Sequence, residues 1–240
     1  VATILVENTI DAIADDYTGT PLSSNDTTPS VVANDTLSGQ PVVIGTNPGE
    51  VTLTGVTVPT ELTLNPDGTI TVNPNTPSGT YTVVYEICEN GANPVNCDSA
   101  VATILVDNAI DAVNDTTVTV ITGAVATTVP GSVIANDTLN GVLVTTANTD
   151  VTVSTSGPLS IDADGIITVA ANTPSGIYTI VYELCETGAN PLNCDTATAT
   201  ILVENVIDAV NDTPITVVVN APGILNVGNV ISNDALNLVA

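Results

Sequence analysis

Apolar and polar residues alternate with a period of two along much of the chain, which marks strands rather than helices. In Ile177–Cys185, Tyr178, Ile180, Tyr182 and Leu184 fall on one face, and Thr179, Val181, Glu183 and Cys185 on the other. Successive strand side chains point to opposite faces, so the first set is expected in a core and the cysteine away from it. Leu62-Thr63-Leu64 and Thr69-Ile70-Thr71-Val72 flank Asn65-Pro66-Asp67-Gly68. An Asp-Gly pair favours positive φ, so a tight hairpin is expected there and again at Asp164-Gly165. Pro77-Ser78-Gly79 and Pro174-Ser175-Gly176 read as turns that feed the strongest strands. No apolar run is long enough to cross a membrane as a helix.

The same pattern returns at long range. Val1–Asn8 (VATILVEN) recurs as VATILVDN from Val101 and TATILVEN from Thr198, spacings of 100 and 97 residues. Asn75–Cys88 recurs as Asn172–Cys185, and Ala33–Leu37 (ANDTL) as Ala135–Leu139 and, as SNDAL, Ser232–Leu236. That period is too long for a solenoid unit and matches one immunoglobulin-type sandwich. The expected fold is all-β: tandem immunoglobulin-like β-sandwich repeats of about 97–100 residues. In this frame, 1–10 is the last strand of a preceding repeat plus a linker. Repeats occupy 11–110 and 111–207, and 208–240 opens a further, incomplete repeat, so the chain reads as a window cut from something longer. Short linkers such as Asn108-Ala109-Ile110 leave little slack, and a rod is expected.

Composition sharpens this. Apolar residues make up 43% of 240, with five Tyr and no Phe, Trp or Met, so a core must be built from small aliphatic side chains. β-Branched residues suit a pleated surface. There are 26 acidic residues and no Lys, Arg or His. Such a chain cannot displace counterions from nucleic acid and is repelled by anionic membranes, so neither nucleic-acid binding nor direct membrane insertion is expected. Without imidazole or amine, only a carboxylate pair could catalyse, and no cleft-forming insertion or asymmetry between repeats supports one. The chain is not expected to be an enzyme, and no cofactor is required.

Two cysteine pairs share one spacing, Cys88/Cys97 and Cys185/Cys194. Disulfides in an oxidising compartment are expected, each closing the loop between the last two strands. Zinc is the competitor, but each pair supplies two ligands and there is no His to add. Acidic residues recur at the junctions: Asp111, Asp115 and Asp137, then Asp208, Asp212 and Asp234. Oxygen-only clusters are the ligand set of calcium. The alternative is that Asp and Asn cap the linker backbone through their own hydrogen bonds.

The junction DAVNDT, the later ANDTL and the end YxxxYxxC…NPxNCDxA resemble the immunoglobulin- or cadherin-like repeats of very large bacterial surface adhesins. Tyr85–Cys97 and Tyr182–Cys194 carry the specific part. The resemblance is nearest to gliding-motility adhesins of Flavobacterium-type bacteria. It implies an extracellular cell-surface filament, exported by the type IX route and used for attachment and gliding. It also implies O-glycans on Ser or Thr after Asp, at Thr36, Ser99, Thr138 and Thr196. A structural stalk is the first reading. A repeated glycan- or surface-binding module and a surface-layer or matrix protein are the others. The expected partners are neighbouring repeats of the same chain, and surface polysaccharide or other filaments.

Overall fold

The computed structural model describes residues 7–122, 125–152, 154–214 and 228–236. The strand expected at 1–10 lies outside the described residues through position 6, and so do 215–227 and 237–240 of the repeat expected from 208. Apart from one 3-10 turn at Val133–Asn136, every described element is a strand.

The chain forms two compact units. The first gathers the residues to Ile110 with Leu139–Val142 and Glu186–Cys194; the second comprises Asp111–Thr138, Leu143–Cys185 and the residues from Asp195 onward. The division departs from the repeat frame at two loops, 139–142 and 186–194. Both are claimed by the first unit because they hydrogen-bond to residues 78–109.

In the first unit a four-stranded sheet runs in the order Asp15–Asp16, Cys97–Val106, Gly79–Glu89, Val51–Thr57. The first pair is parallel, Asp15 opposite Ala102, and the other pairs are antiparallel. Leu62–Leu64 pairs with Ile70–Val72 as a separate hairpin. Ile70 and Val72 from the hairpin share one core with Val83, Tyr85, Ile87 and Ile104 of the larger sheet, all fully buried. One core between two layers is the sandwich arrangement. At the hairpin tip Gly68 takes φ 86°, and a Cβ there would collide with Ser30 Oγ, so glycine is required twice over.

The second unit repeats the plan. Its four-stranded sheet runs Val118–Ile121, Cys194–Glu204, Gly176–Glu186, Thr149–Val151, again with a parallel first pair. Thr127–Thr128, Ile167–Val169, Leu159–Ile161 and Ser154–Ser156 form the other layer. Ile180, Tyr182 and Leu184 are buried, whereas Val181 is 59% exposed, as the alternation predicts. Tyr178 is only half-buried, with its hydroxyl on Pro174 O.

Cys88 and Cys97 are joined in a disulfide. Cys185 and Cys194 are disulfide-bonded too, and with the first pair closed they can only bond each other. All four are half-buried on the outer side of their strands.

Candidate functional site

Each repeat opens with a linker whose backbone is clamped by the ANDTL segment. Asp35 Oδ1 accepts from Ile13 N at 2.7 Å, and Asn34 Nδ2 donates to Ile13 O at 3.2 Å. Asp137 and Asn136 do the same to Val113, at 2.7 and 3.1 Å. Asp234 and Asn233 do it to Val210, at 2.8 and 3.1 Å. One residue's N–H and C=O are thus both satisfied by an adjacent Asn-Asp pair, which a segment outside a regular sheet requires. A second acid reinforces the clamp: Asp98 accepts from Ala12 N, and Asp195 from Ala112 N, both at 2.9 Å.

Behind each clamp a tyrosine hydroxyl sits among more acceptors than it can serve. Tyr85 Oη lies 2.9 Å from Val31 O, 3.1 Å from Ile13 O and 3.2 Å from Asp15 and both oxygens of Asp35. It carries one hydrogen. Tyr182 Oη lies 3.1 Å from Val133 O and 3.0–3.1 Å from Asp137. Asp35 and Asp137 are 1% and 0% exposed, and the sequence holds no cationic side chain to neutralise them. A proton on the carboxyl pair relieves the shortage. Burial first, opposed in part by Tyr85 and Tyr17 and assisted by the charge of Asp35, raises Asp15 to about 6. Burial, then the charge of Asp137, raises Asp115 to about 6. Asp35 and Asp137 are raised as well, chiefly by burial.

A second polar cluster lies in the first unit. Glu186 is 4% exposed, and its carboxylate accepts from Asn108 Nδ2, Ser78 N and Asn193 Nδ2 at 2.6, 3.2 and 2.8 Å. Sequence reading missed Glu186, because an acid at the end of a strand looks solvated. The available signal was its return as Glu89, seven residues before an asparagine in both repeats.

Of the acids expected to hold calcium, the structure sets Asp115 beside Asp137. Asp111 lies in a short strand next to Thr138–Leu139, and Asp208 pairs with Ala235. Asp212 is exposed, and Asp234 serves the clamp. Among the described residues, three potential ligands converge only at Glu86/Cys88/Cys97 and Glu183/Cys185/Cys194, where the sulfurs are already in disulfides. Among the described residues these acids do not bring three carboxylates to one point. Of the expected glycan carriers, Ser99 and Thr196 are exposed, whereas Thr36 and Thr138 are half-buried in short strands. No helix among the described residues is long and apolar enough to cross a membrane.

No family model matches the chain, and neither does any curated protein. Among solved structures it is similar to mouse cadherin-23 EC22-24 at 15% identity and TM-score 0.32, covering 82% of this chain and 65% of that one. It is similar to Drosophila N-cadherin EC1-4 at 14% and 0.32, covering 82% and 49%. It is similar to chicken VE-cadherin EC1-2 at 17% and 0.33, covering 70% and 90%. The chain thus spans less than two thirds of the first two. At these identities and scores the likenesses add nothing to the architecture described above.

Proposed function

We propose that this chain is a run of structural stalk repeats from an extracellular adhesin filament at a cell surface, without enzymatic activity. The observation that carries the reading is duplication without specialisation. Both repeats bury the same tyrosine over the same clamp and close the same loop with a disulfide. Function in such a chain lies in length and rigidity rather than in one differentiated site. The disulfides support an oxidising compartment. Gliding motility, type IX export and O-glycans at the exposed Ser99 and Thr196 rest on the sequence resemblance alone. Calcium at the linker acids has one supporting observation, a buried Asp115 Oδ2 with no hydrogen-bond partner among the described residues.

Small-angle scattering tests the stalk. An extended particle, at about 40 Å per repeat from strand lengths, is the expected result; a near-spherical one refutes it. Melting with and without chelator tests calcium, and an unchanged midpoint removes it. Intact-mass measurement on protein from its native host tests the glycans; the bare polypeptide mass, less the disulfide hydrogens, removes them.

A further inference from the structure

We propose that Asn8, Glu89, Asn93 and Asn96 of the first repeat form a docking surface for a Thr-Pro-Ser turn, supplied by a repeat whose last strand is Val1–Asn8. The proposal deepens the tandem-stalk reading and rests on it.

The filled form of this surface lies in the first unit, where the loop 186–194 meets the turn Thr76-Pro77-Ser78. Ser78 N donates to Glu186 Oε1 at 3.2 Å, and Asn190 N donates to Ser78 O at 2.9 Å. Ser78 Oγ accepts from Asn108 N at 2.8 Å and from Asn193 Nδ2 at 3.2 Å. Thr76 O accepts from Asn108 Nδ2 at 2.9 Å. One short turn thus completes the hydrogen bonding of an acid, a linker asparagine and two loop asparagines. Glu186, Asn108 and Ser78 are all buried there. A carboxylate buried without a cation persists only when N–H donors replace its water.

The first repeat builds the other half of that arrangement with its own loop, 89–97. Asn8 Nδ2 donates to Glu89 Oε1 at 2.5 Å, as Asn108 Nδ2 does to Glu186 Oε1 at 2.6 Å. Asn96 Nδ2 donates to Glu89 Oε2 at 2.8 Å and to Asn8 O at 2.9 Å. Asn193 Nδ2 does the same to Glu186 Oε2 and Asn108 O, both at 2.8 Å. The linker is pinned alike as well. Ser38 Oγ donates to Asn8 Oδ1 and Asn140 Nδ2 to Asn108 Oδ1. Ser38 N and Asn140 N reach the next carbonyls, Thr9 O and Ala109 O, both at 2.7 Å. What differs is the turn. Among the described residues Asn8 N and Asn93 N have no hydrogen-bond partner, and the Glu89 carboxylate accepts only from Asn8 and Asn96. Each of these open positions is one that Ser78 fills in the other copy. Asn8, Glu89, Asn93 and Asn96 border a cleft of about 260 Å³, and Asn8 is exposed where Asn108 is buried.

The occupant follows from the atoms it must supply: a carbonyl oxygen and, two residues on, an N–H, a hydroxyl and a second carbonyl. Thr76-Pro77-Ser78 supplies that set, and a cationic or apolar segment does not. Sequence names its source. The strand sequences VATILVDN from Val101 and TATILVEN from Thr198 each follow a Thr-Pro-Ser-Gly turn at one spacing, from Thr76 and Thr173. Val1–Asn8 is a further copy of that strand sequence.

The test joins a copy of residues 11–100 ahead of Val1 of the intact 240-residue chain, so that Val1–Asn8 completes the copied repeat. Amide exchange at Asn8 and Asn93 is then compared with that in the 240-residue chain, with Asn190 as the internal reference. In the 240-residue chain Asn93 should exchange faster than Asn190. In the extended chain, where the joined turn acts at high effective concentration, Asn8 and Asn93 should slow by roughly tenfold or more. Glu89→Gln in the extended chain should undo about tenfold of that slowing, because a hydrogen-bonded charge is lost, while unchanged exchange at Ile13 certifies the fold. Unchanged exchange at Asn8 and Asn93 on extension, with the copied repeat's own Ile13 amide protected, overturns the proposal. So does a Glu89→Gln chain as protected as its parent, which would mean that the contact does not use the carboxylate. Should the copied repeat fail to fold, the same amides are followed in the 240-residue chain during titration with a cyclised peptide copying residues 73–80. Saturable shifts at Asn8 and Asn93 then support the proposal, and no shift up to about 5 mM, the weak limit for a specific contact, overturns it. A negative result here leaves the scattering test of the stalk untouched, since that test uses the 240-residue chain alone.

Discussion

The two tyrosine clusters look like copies but differ in how the outer carboxyl is held: Tyr85 reaches Asp15 at 3.2 Å, whereas the recorded bonds of Tyr182 go to Val113, Val133 and Asp137. In the first repeat Asp15 is held by both Tyr85 and Tyr17. In the second, Thr117 stands where Tyr17 stands, and Asp115 Oδ2 is buried without a hydrogen-bond partner among the described residues. The bonds to the linker backbone are kept: the Asn-Asp pair, the second acid, and the tyrosine over the inner acid. The clamp on residue 13 or 113 is therefore the fixed part of the design, and the hydrogen bonding of the outer carboxyl is the variable part. Proton affinity follows, because a carboxylate with fewer donors pays more of its burial cost when charged.

The largest expected effect breaks the shared part. Asp35→Ala and Asp137→Ala each strand a linker N–H and leave a gap beside a buried tyrosine hydroxyl. Each should cost about 2–3 kcal/mol in its own unit. Amide exchange of Ile13 and Val113 reports each unit separately. Equal retention of protection in both variants would show that the clamp carries no stability.

Next comes pH. Asp15 and Asp115 titrate near 6 in the folded chain, against 3.8 for the ordinary group. The native state thus holds more protons than the unfolded state between those values, and stability falls as pH rises from about 4 to 6, then levels off. Asp11, Asp35 and Asp98 bear on the first cluster, and Asp111, Asp137 and Asp195 on the second; all are acids and act in the same sense. Amide exchange across this range should show both units loosening as pH rises, the second the more. Greater protection at pH 7 than at pH 5 would contradict the assignment.

Thr117→Tyr then tests the difference itself. It returns the missing hydroxyl and should stabilise the second unit by about 1 kcal/mol at neutral pH. Tyr17→Phe should cost the first unit a similar amount. A destabilised T117Y chain would mean that the second cluster has no room for the ring. The smallest effect is expected at the exposed half of the clamp, where Asn34→Ala and Asn136→Ala should each cost about 0.5–1.5 kcal/mol and be alike. A large gap between them in thermal melting would show that the clamps are not equivalent.

Much of the architecture was legible in sequence, for a physical reason. A period-two pattern fixes which face of Gly176–Glu186 is buried, and Asp-Gly at Gly68 and Gly165 fixes the hairpins through positive φ. Cysteine spacing fixed the loop that each disulfide closes. The linker acids were legible as important but open in role. Calcium and backbone capping were both readable, and the structure shows the capping bonds at Ile13, Val113 and Val210. The tyrosine hub was not legible, because alternation says that Tyr85 and Tyr182 are buried and nothing about where their hydroxyls end. Glu186 was hidden for the converse reason: its donors come from positions 78, 108 and 193, and no local pattern joins them.

The most direct measurement is a carbon-detected titration of the Asp15, Asp35, Asp115 and Asp137 carboxyls in the folded chain. Each pair should release its protons in two coupled steps, with one carboxyl of each pair titrating near pH 6. If all four instead titrate together below about 4, the range of a solvated aspartate, then no proton is shared behind the clamp and the account of these clusters is wrong.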